Sequence, residues 1–195
     1  MIKICNRAYH KNTDTYTMSE IGIPGIVLME RAAYTLVQEV ISLAEKKDLI
    51  LAVCGSGNNG GDGIAAARIL HLMGYRCDVF LLCGTHGLTR EAEEQLKIAR
   101  NVGVTVVEEM NAAVNRFSDY HILIDAIFGI GLTRDIEEPY RTVIERINAS
   151  ESVVIAADIP SGIDTDTGAV FGTAVRADIT VSFGYGKPGL YLYPG

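Results

Sequence analysis

The sequence predicts an α/β protein: a three-layer α/β/α sandwich on a Rossmann-like, mostly parallel sheet. Three observations lead there. Short continuous apolar runs alternate with amphipathic stretches of about ten to fifteen residues, the pattern of βαβ units. The apolar runs end in glycine or aspartate, as strands buried on both faces do when they open into loops. A chain of 195 residues, 48% of them hydrophobic, can bury one full core, so a single domain over residues 1–195 is expected.

Residues 23–44 repeat apolar side chains at Ile26, Met29, Ala33, Leu36 or Val37, Val40 and Ala44, a helical period with Pro24 near its first turn. "LILAVCG", residues 49–55, is a short apolar run ending in glycine and predicts a buried parallel strand. Residues 62–73 predict a helix with Gly74 as its stop. "RCDVFLLCG" is the next strand, "TREAEEQLKIARNVG" a helix, "VTVVEE" a strand and "AAVNRF" a short helix. "YHILIDAIFG" then predicts a strand, "EPYRTVIERINAS" a helix, and "SVVIAADIPSG" and "RADITVSFG" the last two strands. The closing "FGYGKPGLYLYPG" resumes a β-prone pattern with no helix after it, so it is either a tail lying on the sheet or the start of something longer.

Composition removes several function classes. A net charge of -7 without a lysine or arginine run lacks the electrostatic footprint of a nucleic-acid binder. Four cysteines without a C-x-x-C pair, and four histidines without an H-x₃-H pair, lack zinc-ligand spacing and read as reduced thiols in a cytoplasmic protein. "MIKICNRAYHKNTD" has no signal-peptide core, and no apolar run approaches the roughly 18 residues of a membrane span.

Ligands of open α/β sheets sit outside the carboxyl ends of the strands. Three acids fall at such ends: Asp62 after the Gly-rich stretch that follows the first strand, Asp125 closing "HILID", and Asp158 closing "VVIAAD". Each adjoins a glycine-containing loop, where backbone approaches a ligand closely. A single aspartate there is often only a helix N-cap, but three on one sheet edge point to a site. "CGSGNNGGDG" holds the Gly55-x-Gly57-x-x-Gly60 spacing of a dinucleotide loop, yet the second strand ends "LLCGTH" without the ribose-binding acid, Asp78 lying near its start. A P-loop is excluded, because Gly63 is followed by Ile64 and Ala65. The mixture of amides, carboxylate and backbone N–H groups suits a polyhydroxyl or amide-bearing ligand, and the oxygens of Asn59, Asp125 and Ser161 suit a hard cation. "DTDTG", residues 164–168, lacks the acids of a calcium loop and reads as a turn. Lys187, beside proline and glycine, reads as an exposed loop lysine, with contact to a phosphate as the alternative.

"GSGNNGGDG", "DAIFGIGLTRD", "DIPSGIDTDTG" and "GYGKPGLYLYPG" occur in that order, and together they resemble the YjeF N-terminal domain family, the NAD(P)H-hydrate epimerases. "GIPGIVLMERAA" resembles that family's leading helix, with Arg31 and Ala33 where asparagine and glycine are usual, so the similarity runs from about Met18 to the end. The resemblance implies epimerisation of hydrated NADH or NADPH, NAD(P)HX. It places substrate binding on Asn58, Asn59, Gly60, Gly61 and Asp62, on Gly129, Ile130, Gly131, Leu132, Thr133, Arg134 and Asp135, and on Asp158. It implies K+ on Asn59, Asp125 and Ser161, a homodimer, and a fused or separate NAD(P)HX dehydratase, the chain then being one part of a longer bifunctional protein. The substrate's hydroxyl lies on a ring carbon beside nitrogen, so acid-assisted loss of water gives an iminium that water re-enters from either face. Asp158 is the expected acid and base. The competing readings are a non-catalytic binding or scaffold module and an NAD-dependent oxidoreductase.

Overall fold

The computed structural model describes residues 3–195. Six parallel strands form one sheet: β1 (Leu49–Cys54), β2 (Arg76–Leu81), β3 (Val106–Val107), β4 (Ile122–Ala126), β5 (Val153–Ala157) and β6 (Ile179–Val181). Their order is β3-β2-β1-β4-β5-β6. The Rossmann-like parallel sheet expected from the alternating pattern is therefore observed, with the order reversing between β1 and β4.

Six helices accompany the sheet: α1 (Arg7–Ser19), α2 (Gly25–Leu43), α3 (Asn58–Leu72), α4 (Arg90–Asn101), α5 (Met110–Val114) and α6 (Tyr140–Asn148). Alternate side chains of the strands feed two cores. Ile50, Ala52, Ile122 and Ile124 pack with Leu36, Val40, Ile64 and Leu70 of α2 and α3. Leu51, Val53, Leu123 and Val154 pack with Val143 and Ile147 of α6 and with Phe117. The helical period read in residues 23–44 is the buried stripe of α2, with Met29, Ala33, Leu36, Val37 and Val40 inward. Pro24 is the residue before its first turn, and Ala33 is fully buried.

Three elements differ from the sequence expectation. Helix α1 carries no strong apolar stripe, and His10 is its one buried side chain. Its start is legible only in Asn6, whose side chain accepts from the Tyr9 backbone N–H at 2.9 Å. Helix α3 begins at Asn58 rather than at residue 62, so the motif from Asn58 to Asp62 is helix and not loop. The strand read in "VTVVEE" shrinks to two residues at the sheet edge.

The closing segment makes a short 3-10 turn, Pro188–Leu190. It lies against the turn at residues 164–168, with the Gly189 N–H donating to the Thr165 carbonyl at 2.8 Å. It also meets the amino-terminal segment, where the Cys5 N–H donates to the Gly186 carbonyl at 2.9 Å and the Gly186 N–H to the Lys3 carbonyl at 3.0 Å.

Candidate active site

The crevice outside the carboxyl ends of β1 and β4 is the switch point of the sheet. Glycines let its walls meet. The Gly55 N–H donates to the Ala126 carbonyl at 3.0 Å, and a Cβ on Gly55 would lie 2.2 Å from the Ile127 carbonyl oxygen. A Cβ on Gly60 would lie 1.9 Å from the Gly55 carbonyl oxygen, and one on Gly63 2.5 Å from the Ala126 Cβ. This packing explains why α3 starts inside a glycine-rich stretch of poor helix propensity: tertiary contact decides the local structure. Because the obstacle at Gly60 is backbone, Gly60→Ala is expected to cost about 3 kcal/mol, the upper part of the usual overpacking range. Urea denaturation checks it, and an unchanged midpoint would contradict the packing described.

Asn59, Asp125 and Ser161 come from three different segments: α3, the end of β4 and the loop after β5. The Ser161 hydroxyl donates to Asp125 Oδ1 at 2.6 Å and accepts from the Phe128 N–H at 2.8 Å. The Ser161 N–H donates to Asp125 Oδ2 at 2.8 Å and the Ile127 N–H to Oδ1 at 3.2 Å. Asn59 stands beside the same loop, its Oδ1 only 3.2 Å from where a Gly129 Cβ would be. Burial pushes the Asp125 carboxyl up to about 6, against the lowering effect of the bonds from Ser161 and Ile127.

Asn59 is 8% exposed, and neither its Oδ1 nor its Nδ2 has a partner. An unsatisfied buried polar group costs about 1–3 kcal/mol, so an orphaned amide in this position suits a ligand. One amide oxygen, one carboxylate and one hydroxyl are hard donors, matched to an alkali ion. Among the described residues no three His, Cys, Asp or Glu side chains are placed to hold a metal ion. The donor set thus fits K+ better than a transition metal.

Asp62 and Asp158 share a second electrostatic neighbourhood. Burial first, then Asp158 and Asp14, push the Asp62 carboxyl well above the usual carboxylate range, with Lys187 opposing. Asp62 is not an N-cap: Gly57 holds that position and offers no side-chain bond, which leaves the first-turn N–H groups free for a ligand. Asp158 adopts φ 71, a left-handed conformation uncommon for a residue with a side chain. Its N–H donates to the Val181 carbonyl at 2.8 Å, and the Phe183 N–H donates to its Oδ1 at 3.3 Å. Strain of this kind gathers at functional sites.

The expectation for Lys187 is corrected. It is not exposed but fully buried, ion-paired to Asp158 Oδ1, and its Nζ also donates to the Ser182 hydroxyl and to the Phe183 carbonyl, each at 2.9 Å. No local signal announces this, because the pair joins residues 29 positions apart and the proline and glycine beside the lysine suggest a loop. The residues missed altogether are His10 and Asp14 on α1. Both titrate in the field of Asp158 and Lys187.

The stretch from Gly129 to Asp135 forms the outer rim. Gly129 and Ile130 are half-buried, as is Leu132, whose N–H donates to the Gly129 carbonyl at 3.3 Å. Gly131, Thr133, Arg134 and Asp135 are exposed, as is Asn58 at the start of α3. Gly60 and Gly61 are buried in the floor, a Cβ on Gly61 meeting Met29 Cε at 2.5 Å. Asp78, near the start of β2, accepts from the Tyr120 hydroxyl at 3.1 Å and lies away from the strand end where a ribose-binding acid belongs.

A family model described as "YjeF-related protein N-terminus" matches residues 25–189. The chain belongs to this family. Among similar proteins, the NAD(P)H-hydrate epimerase of Limosilactobacillus fermentum is 42% identical over 182 residues, 93% of this chain and 86% of that protein. The NAD(P)H-hydrate epimerase of Oenococcus oeni is 41% identical over 100% of this chain and 90% of its own length. The bifunctional NAD(P)H-hydrate repair enzyme of Thermofilum pendens is 40% identical, and this chain spans 38% of it. The crystal structure of a yeast protein superposes with a TM-score of 0.87 at 24% identity, over 97% of this chain and 84% of that one, and shows the same fold. The YjeF N-terminus match thus takes in α2 and every strand and ends within the 3-10 turn at Pro188–Leu190, leaving α1 before its first residue.

Proposed function

We infer that the chain is an NAD(P)H-hydrate epimerase, interconverting the R and S forms of hydrated NADH and NADPH in nicotinamide-nucleotide repair. The observation that carries the reading is convergence at one crevice. An orphaned Asn59, the bonded pair Asp125 and Ser161, and the strained, ion-paired Asp158 all lie at neighbouring strand ends, in a chain 42% identical to an epimerase.

The substrate is a carbinolamine. A proton delivered to its hydroxyl lets the C–O bond break; water leaves, and the lone pair of the ring nitrogen becomes the second bond of an iminium. Water then adds to the opposite face and gives its proton back to a carboxylate, so nothing is consumed. Asp62, whose carboxyl is raised well above the usual carboxylate range by burial, Asp158 and Asp14, is suited to deliver the proton. Asp158 is the acid–base partner on the other side of the ring carbon, fixed by Lys187 and by the Phe183 N–H. The negative charge of Asp158 also favours the cationic iminium.

The free N–H groups at the start of α3 and the rim from Gly129 to Asp135 suit the pyrophosphate and ribose portions of the nucleotide. Asn59, Asp125 and Ser161 would hold K+, which supplies a fixed positive charge to orient the loops and the polar end of the substrate. The chain is read as one domain, active as a homodimer. Partly exposed Val27 and Tyr34 beside a cleft of about 660 Å³ on the α2 face support self-association there. Its product is suited to an NAD(P)HX dehydratase, fused or separate. Four free cysteines fit a cytoplasmic setting, and no helix among the described residues is long and apolar enough to cross a membrane.

The test is to mix the chain with both epimers of hydrated NADH and a dehydratase specific for one of them. Consumption running to completion is expected; a plateau that leaves the second epimer intact would contradict the reading.

A further inference from the structure

Helix α1 is clamped over the Asp158 end of the crevice. Arg7 Nη2 donates to Asp164 Oδ2 at 2.6 Å, the Arg7 N–H to Asp166 Oδ1 at 2.7 Å, and the Cys5 N–H to the Gly186 carbonyl at 2.9 Å. Gly186 precedes Lys187, so the clamp ties the helix to the segment that carries the buried ammonium. One turn into α1, His10 is 8% exposed, with the Tyr185 ring edge-on at a centroid distance of 6.1 Å. Its Nε2 is buried without a partner, the condition in which Asn59 is also found. The groups around the ring are Lys187 and Tyr185 from the closing segment, Asp158 from the β5 loop, Asp14 one helical turn along, and the Gly186 backbone.

Burial first and then Lys187 lower the pKa of the ring, outweighing Asp158, the Gly186 bond and Asp14, so the imidazole is neutral at neutral pH. A neutral imidazole carries one N–H and one lone pair, and the orphaned Nε2 is the ring nitrogen left to meet a ligand. In the field of Asp158 and Asp14, a lone pair on Nε2 suits a hydrogen-bond donor better than a phosphate oxygen. His10 therefore belongs with the reacting ring and not with the pyrophosphate.

We propose that His10 is a further substrate-contacting residue, its Nε2 accepting a hydrogen bond from the O–H of the hydrated ring beside the Asp158–Lys187 pair. The proposal rests on the epimerase reading and assigns a role to an amino-terminal helix that the family match does not include.

The experiment compares His10→Phe, which keeps an aromatic ring against Tyr185, with His10→Gln, which restores a polar atom near the Nε2 position. The exchange rate is expected to fall about tenfold in His10→Phe, the worth of one hydrogen bond, and to recover in part in His10→Gln. In wild-type protein labelled with ¹⁵N-histidine, the Nε2 signal of His10 should move when hydrated NADPH is added and stay in place with unmodified NADPH, which lacks the hydroxyl. Wild-type exchange left unaltered by His10→Phe overturns the proposal while the epimerase reading stands. A signal moved equally by both nucleotides assigns the contact to another donor and also overturns it. If the wild type shows no exchange, the epimerase reading falls, and an unmoved signal in the presence of the hydrate then removes His10 as well.

Discussion

Asp158→Asn is expected to lower the rate of epimer exchange by at least about 100-fold, the usual worth of a positioned acid–base group. Asparagine tolerates the left-handed backbone that Asp158 adopts, so the turn itself should survive. The buried ammonium of Lys187 loses its counter-charge, however, and keeps only the Ser182 hydroxyl and the Phe183 carbonyl. Removing one partner of a buried pair typically costs about 3–5 kcal/mol, whereas removing both costs much less. The single variant should therefore be less stable as well as inactive. The double variant Asp158→Asn with Lys187→Met should regain stability without regaining exchange. Exchange kinetics and urea denaturation on the two proteins check this, and a double variant that recovers exchange would show that Asp158 acts only through the stability of its loop.

Asp62→Asn separates activity from stability in the opposite direction. The Asp62 carboxyl is raised in the folded protein, so its contribution to stability is fully present below the ordinary value of 3.8 and is lost as pH rises through the folded value. At neutral pH the native state carries the burden of a half-buried acid beside Asp158 and Asp14, with Lys187 in partial compensation. Asparagine has the same shape and does not titrate. The variant should lose exchange by about 100-fold or more while becoming more stable than the wild type at pH 7–8, the two converging near pH 3. Urea midpoints across this range test the sign, and parallel profiles for the two proteins would contradict it.

Much of the fold could be read from the chain because the strands are buried on both faces and their runs are continuous: "LILAVC" and "ILIDA" appear as β1 and β4, with Asp125 near the end of β4. What escaped reading is what only distant contacts decide. The start of α3 depends on Gly60 fitting against Gly55, and Lys187 is buried because Asp158, 29 residues earlier, supplies its counter-ion. Helix α1 is polar along most of its surface, so nothing in its periodicity separates it from a solvated segment; its role follows from where the clamp at Arg7 places it. Asn59, Asp125 and Ser161 were singled out for their oxygens; the fold bonds Ser161 to Asp125 and sets Asn59 against Gly129 of the loop after β4.

The central claim is that the loops after β1, β4 and β5 enclose one site, with a cation at its base and the hydrated ring at Asp158. Crystals soaked in a thallium salt and in hydrated NADPH test it most directly, thallium standing for potassium through its anomalous scattering. The account predicts one anomalous peak in contact with Asn59 Oδ1, Asp125 and the Ser161 hydroxyl, and the hydroxylated ring carbon between Asp62 and Asp158. An ion bound elsewhere, or a nucleotide lying away from the ends of β1 and β4, would contradict it.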